Sequence, residues 1–176
     1  MKIIAVDPGI RVLGVAIGDD NGRLEWAALV KSPAPLTVRR GAAVSAMAWE
    51  LARVLQGRTW EASAVEWPKQ YDGAGSFADR QDISALSALA GGAGVIVASR
   101  ALAFEFTPEP FEWKGQVPKD VHNQRTMARL SLGDRERIEW PARKDLAHNV
   151  IDAVGLLLWA GEEIGRVGRR AERPRG

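Results

Sequence analysis

Three carboxylates in this chain stand where an acid is costly unless something binds it. Asp7 follows the β-branched run 2–6 and precedes Pro8 and Gly9, so it sits where a strand ends and a turn begins. Residues 62–67 read as a second buried strand, with Glu66 at its end just before Pro68. Asp152 lies mid-helix among apolar neighbours in the stretch 143–161. A carboxylate in such surroundings is destabilising unless it is paired, hydrogen-bonded or bound to a cation. Asp7 taken alone also suits a plain Asp-Pro turn. Taken together, clustered acids repel, and divalent cations relieve that repulsion. Two such cations are the usual device for phosphodiester hydrolysis, one activating water and the other stabilising the leaving oxygen. Metal ligation by Asp7, Glu66 and Asp152 is therefore expected. Cysteine is absent, which restricts donors to oxygen and imidazole and favours Mg²⁺, with Mn²⁺ expected to substitute. His148, one turn before Asp152, suits a ligand, a proton carrier or a core histidine with a satisfied hydrogen bond.

The elements that must position these side chains follow from periodicity. Residues 2–6, 12–17 and 23–31 form a three-stranded meander, the last two joined by the turn 19–22. Val44, Met47, Ala48, Leu51 and Leu55 have helical spacing within 37–55, and Gly57 ends that helix. A glycine-rich loop at 71–77 lies directly beyond Glu66. Residues 79–102 fit one long helix, or a helix broken at Gly91, Gly92 and Gly94 before a strand. An edge strand at 103–106 leads into an ordered loop at 107–117. Pro118 opens a helix to about residue 132, carrying Lys119, His122, Arg125 and Arg129. The last helix, 143–161, turns Leu146, Val150, Val154, Leu157 and Leu158 to the core.

This alternation defines an α/β chain with a single domain over 1–165. The net charge of +2 is unevenly placed, because 166–176 carry five arginines against Glu172 and leave the body near −2. That tail is expected to be disordered and either to neutralise phosphates or simply to be solvated. No apolar run reaches the roughly 20 residues of a spanning helix, so no membrane partner is expected.

The segments IIAVDPGIRVLGVAI, AVEWP and HNVIDAVGLLLW, in that order, resemble the RuvC-type Holliday junction resolvases of the ribonuclease H-like (retroviral integrase) superfamily. The resemblance covers most of residues 1–160. It implies a mixed five-stranded sheet flanked by helices, and metal binding and catalysis by Asp7, Glu66 and Asp152. It further implies a homodimer that cuts two strands of a four-way junction symmetrically; the chain itself, without a spanning segment, is expected in the cytoplasm of a bacterial cell or phage-infected host. The family's fourth site residue commonly stands three before the final aspartate, which here is Asn149. His148 at four before is the preferred candidate, as both metal ligand and catalytic group, and Asp145 at seven before the remaining one. Lys114 resembles the basic residue placed near the scissile phosphate, with catalytic and DNA-binding roles, and Lys119 one on the flanking helix. Tyr71 resembles an aromatic presented to the junction, where it would stack on a base or anchor its loop. Lys69 and Arg80 are expected backbone contacts. Other ribonuclease H-like nucleases, acting on RNA-DNA hybrid or flap DNA, share the metal logic. An inactive DNA-binding module is disfavoured by three intact acids, and an actin-like ATPase by length.

Overall fold

The computed structural model describes residues 1–35, 38–68, 77–99 and 102–171, with 77–83 and 170–171 described by backbone alone. A six-stranded sheet forms its middle layer, in the order β5-β4-β1-β2-β3-β6. Strands β1 (Lys2–Asp7), β2 (Val12–Asp19) and β3 (Leu24–Lys31) make the antiparallel meander. On the other edge of β1, β4 (Ala62–Val65) and β5 (Phe104–Phe106) pair in parallel. The sixth strand, β6 (Ile138–Glu139), adds to the five expected. Two residues are too few to show a period of two in sequence. They are held by parallel pairing with Ala27 and Ala28 and by the Trp26 indole N–H, which donates to Glu139 at 2.7 Å.

The two faces of the sheet are built from different residue sizes. Ile3, Ala5, Ala16, Ala27, Ala62 and Ala64 line one face, and α6 (Ala147–Ala171) lies on it through Val150, Ala153, Val154 and Leu157. The alternate positions Ile4, Val6, Leu13, Val15 and Ile17 line the other, under α1 (Arg40–Val54) and α2 (Phe77–Val97). Alanines on the first face let a long apolar helix settle close to the strands, and large branched residues fill the second.

Helix α2 runs unbroken through Gly91, Gly92 and Gly94, so the break and strand do not form. None of these glycines has a positive φ, while Leu89, Ala90, Ala93 and Val97 keep helical spacing against the core. Two short helices, α3 (Pro110–Trp113) and α5 (Leu132–Arg135), flank α4 (Lys119–Arg129). The expected helix to residue 132 ends earlier because Ser131 caps α5, its hydroxyl accepting from the Asp134 N–H at 3.1 Å. A 3₁₀ turn at Lys144–Leu146 precedes α6, which continues through Ala171. Arg166 and Arg169, expected in a tail, are therefore helical. Among the described residues, no helix is long and apolar enough to cross a membrane.

Candidate active site

Strand periodicity aims two of the acids at one helix. Asp7 follows Ile3 and Ala5, and Glu66 follows Ala62 and Ala64, in steps of two on the face that α6 covers. Val6 pairs with Val65, and the Glu66 N–H donates to the Val6 carbonyl at 3.0 Å, so the two carboxylates leave adjacent parallel strands at the same end. Asp152, only 7% exposed, comes to them from α6.

Gly14 sets how near that helix lies. It pairs with Asp7 across β1 and β2, and a Cβ there would stand 1.9 Å from the Asn149 carbonyl oxygen. A side chain at position 14 would push the first turn of α6, and Asp152 one turn further along it, away from the sheet.

The segment after β5 supplies the partners. The Trp113 indole N–H donates to Glu66 Oε2 at 2.8 Å, and the Lys114 ammonium donates to the same oxygen at 3.2 Å. Lys114 Nζ also stands 3.8 Å from Asp152 Oδ2. His122 on α4 is buried, packs edge-to-face on Trp113 with centroids 5.0 Å apart, and places Nε2 3.4 Å from Asp152 Oδ1. Gly155 makes room for this pair, since a Cβ there would lie 2.9 Å from the Trp113 ring and 3.0 Å from His122 Nε2.

The electrostatics are those of crowded acids around one cation. Burial raises the Asp7 carboxyl well above the usual carboxylate range, and the charges of Glu66 and Asp152 push it further, against the pull of Lys114 and Lys119. Burial raises Glu66 too, with Lys114 and Trp113 opposing. For Lys114 burial works downward, but Glu66, Asp152 and Asp7 together hold it above its ordinary value, so it stays charged. Burial keeps His122 below the usual histidine range, which makes it a neutral neighbour of Asp152 at pH 7.

Hard-cation donors are thus present. Among the described residues no three His, Asp or Glu side chains are gathered tightly enough to enclose an ion. The donor chemistry nevertheless fits one: Asp152 Oδ1 is buried without a hydrogen bond, and the three acids repel around a space balanced by a lysine.

Of the residues singled out from sequence, Asp7, Glu66, Asp152 and Lys114 come together, and Lys119 is near enough to bear on Asp7. His148 is half-buried one turn before Asp152, and among the described residues no hydrogen bond or ion pair involves its side chain. Its charge bears on Asp145, which is exposed and forked by Arg143 at 2.5 and 3.1 Å. Asn149 donates to the Leu146 carbonyl at 3.2 Å. Lys69 and Tyr71 lie outside the described residues, as does the Arg80 side chain. Sequence reasoning did not single out Trp113 or His122 as site residues. The available signal was a tryptophan next to Lys114 and one of the chain's two histidines on a mostly polar helix.

A mixed sheet with an antiparallel meander, parallel outer strands and a long C-terminal helix across one face defines a ribonuclease H-like α/β fold. Among solved structures, the fold is that of the RuvC-type Holliday junction resolvases. Thermus thermophilus RuvC in complex with Holliday junction substrate superposes with a TM-score of 0.66 at 20% identity, over 96% of this chain and 97% of that one. Another Thermus thermophilus RuvC structure gives 0.64 at 20% identity with the same coverage. The yeast mitochondrial Holliday junction resolvase Ydc2 gives 0.53 at 12% identity, over 96% of this chain and 83% of that one. No protein-family model matches the sequence, and no curated protein does.

Proposed function

We propose that this protein is a divalent-metal-dependent endonuclease that resolves four-way junctions or other branched DNA by symmetric paired nicks. The observation that carries the reading is the convergence of Asp7, Glu66 and Asp152 from two adjacent strand ends and one helix, beside Lys114, in a resolvase fold. In this reading Asp7, Glu66 and Asp152 hold Mg²⁺, or Mn²⁺ in its place, with His148 as a further donor. The metal supplies Lewis-acid activation of water and stabilisation of the leaving oxygen.

The chain's own residues do the rest. Trp113 and Lys114 fix the Glu66 carboxylate through one oxygen. When phosphate enters, the Lys114 ammonium is the point charge that stabilises negative charge building on it. His122 and Trp113 wall the site on the α4 side and keep water from the buried Asp152 oxygen. Tyr71, Lys69 and Arg80 belong to the segment following Glu66 and are assigned base stacking and backbone contacts; Lys119 flanks the site with a further cation.

Paired nicking calls for two centres, and the α1 and α2 layer supplies a surface for a second copy. Trp49 is 79% exposed beside an apolar hollow of about 440 Å³, and Val95 on α2 is 74% exposed. The test of substrate class is cleavage of a labelled four-way junction beside linear duplex, flap and RNA-DNA hybrid of the same sequence. Preferred, paired cutting of the junction is expected. Preferred cutting of hybrid or flap would keep the metal site and overturn the junction assignment.

A further inference from the structure

Arg166 and Arg169, the first two arginines of the basic C-terminal run, lie on α6. They line an open hollow of about 590 Å³ between α6 and the turn joining β2 to β3. A second hollow, about 160 Å³, opens between α4, α6 and the segment after α3, and Lys114 and His122 of the candidate centre form part of its wall. Arg129 and Glu162 line both. The two hollows therefore adjoin across the Arg129–Glu162 pair that stands between them, and together form a trough that starts at the centre.

We propose that this trough is a track for the sugar-phosphate backbone of one DNA arm leading away from the cleavage site, an inference that rests on the nuclease reading above. Its cations, in order, are Lys114, Arg125, Arg129, Arg166 and Arg169. Their spacing suits a strand: from Asp152 to Arg166 is about 21 Å along the helix at roughly 1.5 Å per residue. That length spans about six base pairs along a duplex axis at roughly 3.4 Å of rise each, and fewer phosphates along one strand, whose backbone winds about that axis.

The acids present do not close the track. Asp20 is occupied by the N-terminal amine at 3.0 Å. Glu162 pairs with Arg129 at 2.7 Å, with the two side chains 49% and 44% exposed. Glu163 pairs with Arg166. Exposed ion pairs contribute little, so phosphate oxygens exchange for carboxylate oxygens at small cost. Guanidinium groups also match phosphate in a two-pronged way that a lysine ammonium does not. Five of the chain's cations thus stand along the line of these two hollows.

The test is binding of a fluorescent four-way junction and a linear duplex in EDTA, where affinity is read without metal-dependent cleavage, across a salt series. The combined variant Arg129→Ala, Arg166→Ala, Arg169→Ala changes surface side chains only. It should lessen the magnitude of the negative slope of log affinity against log salt by about 2.7, at roughly 0.9 per lost phosphate contact. Glu162→Gln, which removes a negative charge from the trough, should tighten binding, whereas Arg39→Ala on the α1 side should leave the slope unchanged. Wild-type binding with an unaltered slope in the triple variant would overturn the track alone. Failure of the wild type to bind any DNA would overturn the nuclease reading and the track with it.

Discussion

Glu66 accepts from the Trp113 indole and the Lys114 ammonium on one and the same oxygen, at 2.8 and 3.2 Å. Orientation of that carboxylate thus depends on an indole N–H as well as on the lysine. Trp113→Phe keeps the ring that packs on His122 but removes the donor. Loss of a partner of this kind costs about 10–100-fold in metal affinity or activity, so cleavage should fall by that range while the far-UV spectrum stays native. An unchanged rate would remove Trp113 from the site. Asp7 gives a prediction of unusual sign. Its folded carboxyl binds a proton more tightly than the unfolded one, so metal-free stability falls as pH rises from the ordinary carboxylate range through the raised value. Asp7→Asn should therefore abolish cleavage and yet melt higher than wild type at neutral pH without metal. A gain of about 2–4 °C is expected for each kcal/mol of repulsion relieved. A lower melting temperature would mean that Asp7 is not held against its neighbours' charge.

Among the elements, α6 and β2 meet most closely at Gly14, under the Asn149 carbonyl. Gly14→Ala must move backbone rather than a side-chain end, so about 1–3 kcal/mol of destabilisation is expected. Calorimetry should show the lowered melting temperature, and the protein that remains folded should cut poorly because Asp152 has shifted. Full activity in this variant would mean that the α6 to β2 distance does not set the site. The acids on β1, β4 and α6 were legible in sequence because strand ends and helix faces have simple periods. Trp113 and His122 were not, because their position depends on how α3 and α4 fold back on α6, with Gly155 making room. The sheet's sixth strand escaped for want of length, and α2 was ambiguous because glycine weakens a helix without forbidding it. Burial of Leu89, Ala93 and Val97 against the sheet settles that segment as helix.

On the scale of the whole molecule, one centre makes one nick and a junction needs two. In the proposed dimer, the exposed Trp49 on α1 and Val95 on α2 face the second copy. Trp49→Glu should shift the protein from dimer to monomer in sedimentation experiments and turn paired nicks into single ones. A dimer unaffected by this substitution would place the contact elsewhere. The most direct test of the central claim is cleavage of a labelled four-way junction by wild type and Asp7→Asn, with Mg²⁺ and with chelator. The convergent acids predict paired nicks by wild type with Mg²⁺, and none with chelator or in Asp7→Asn. Cleavage that survives either treatment would contradict a metal centre built on Asp7, Glu66 and Asp152.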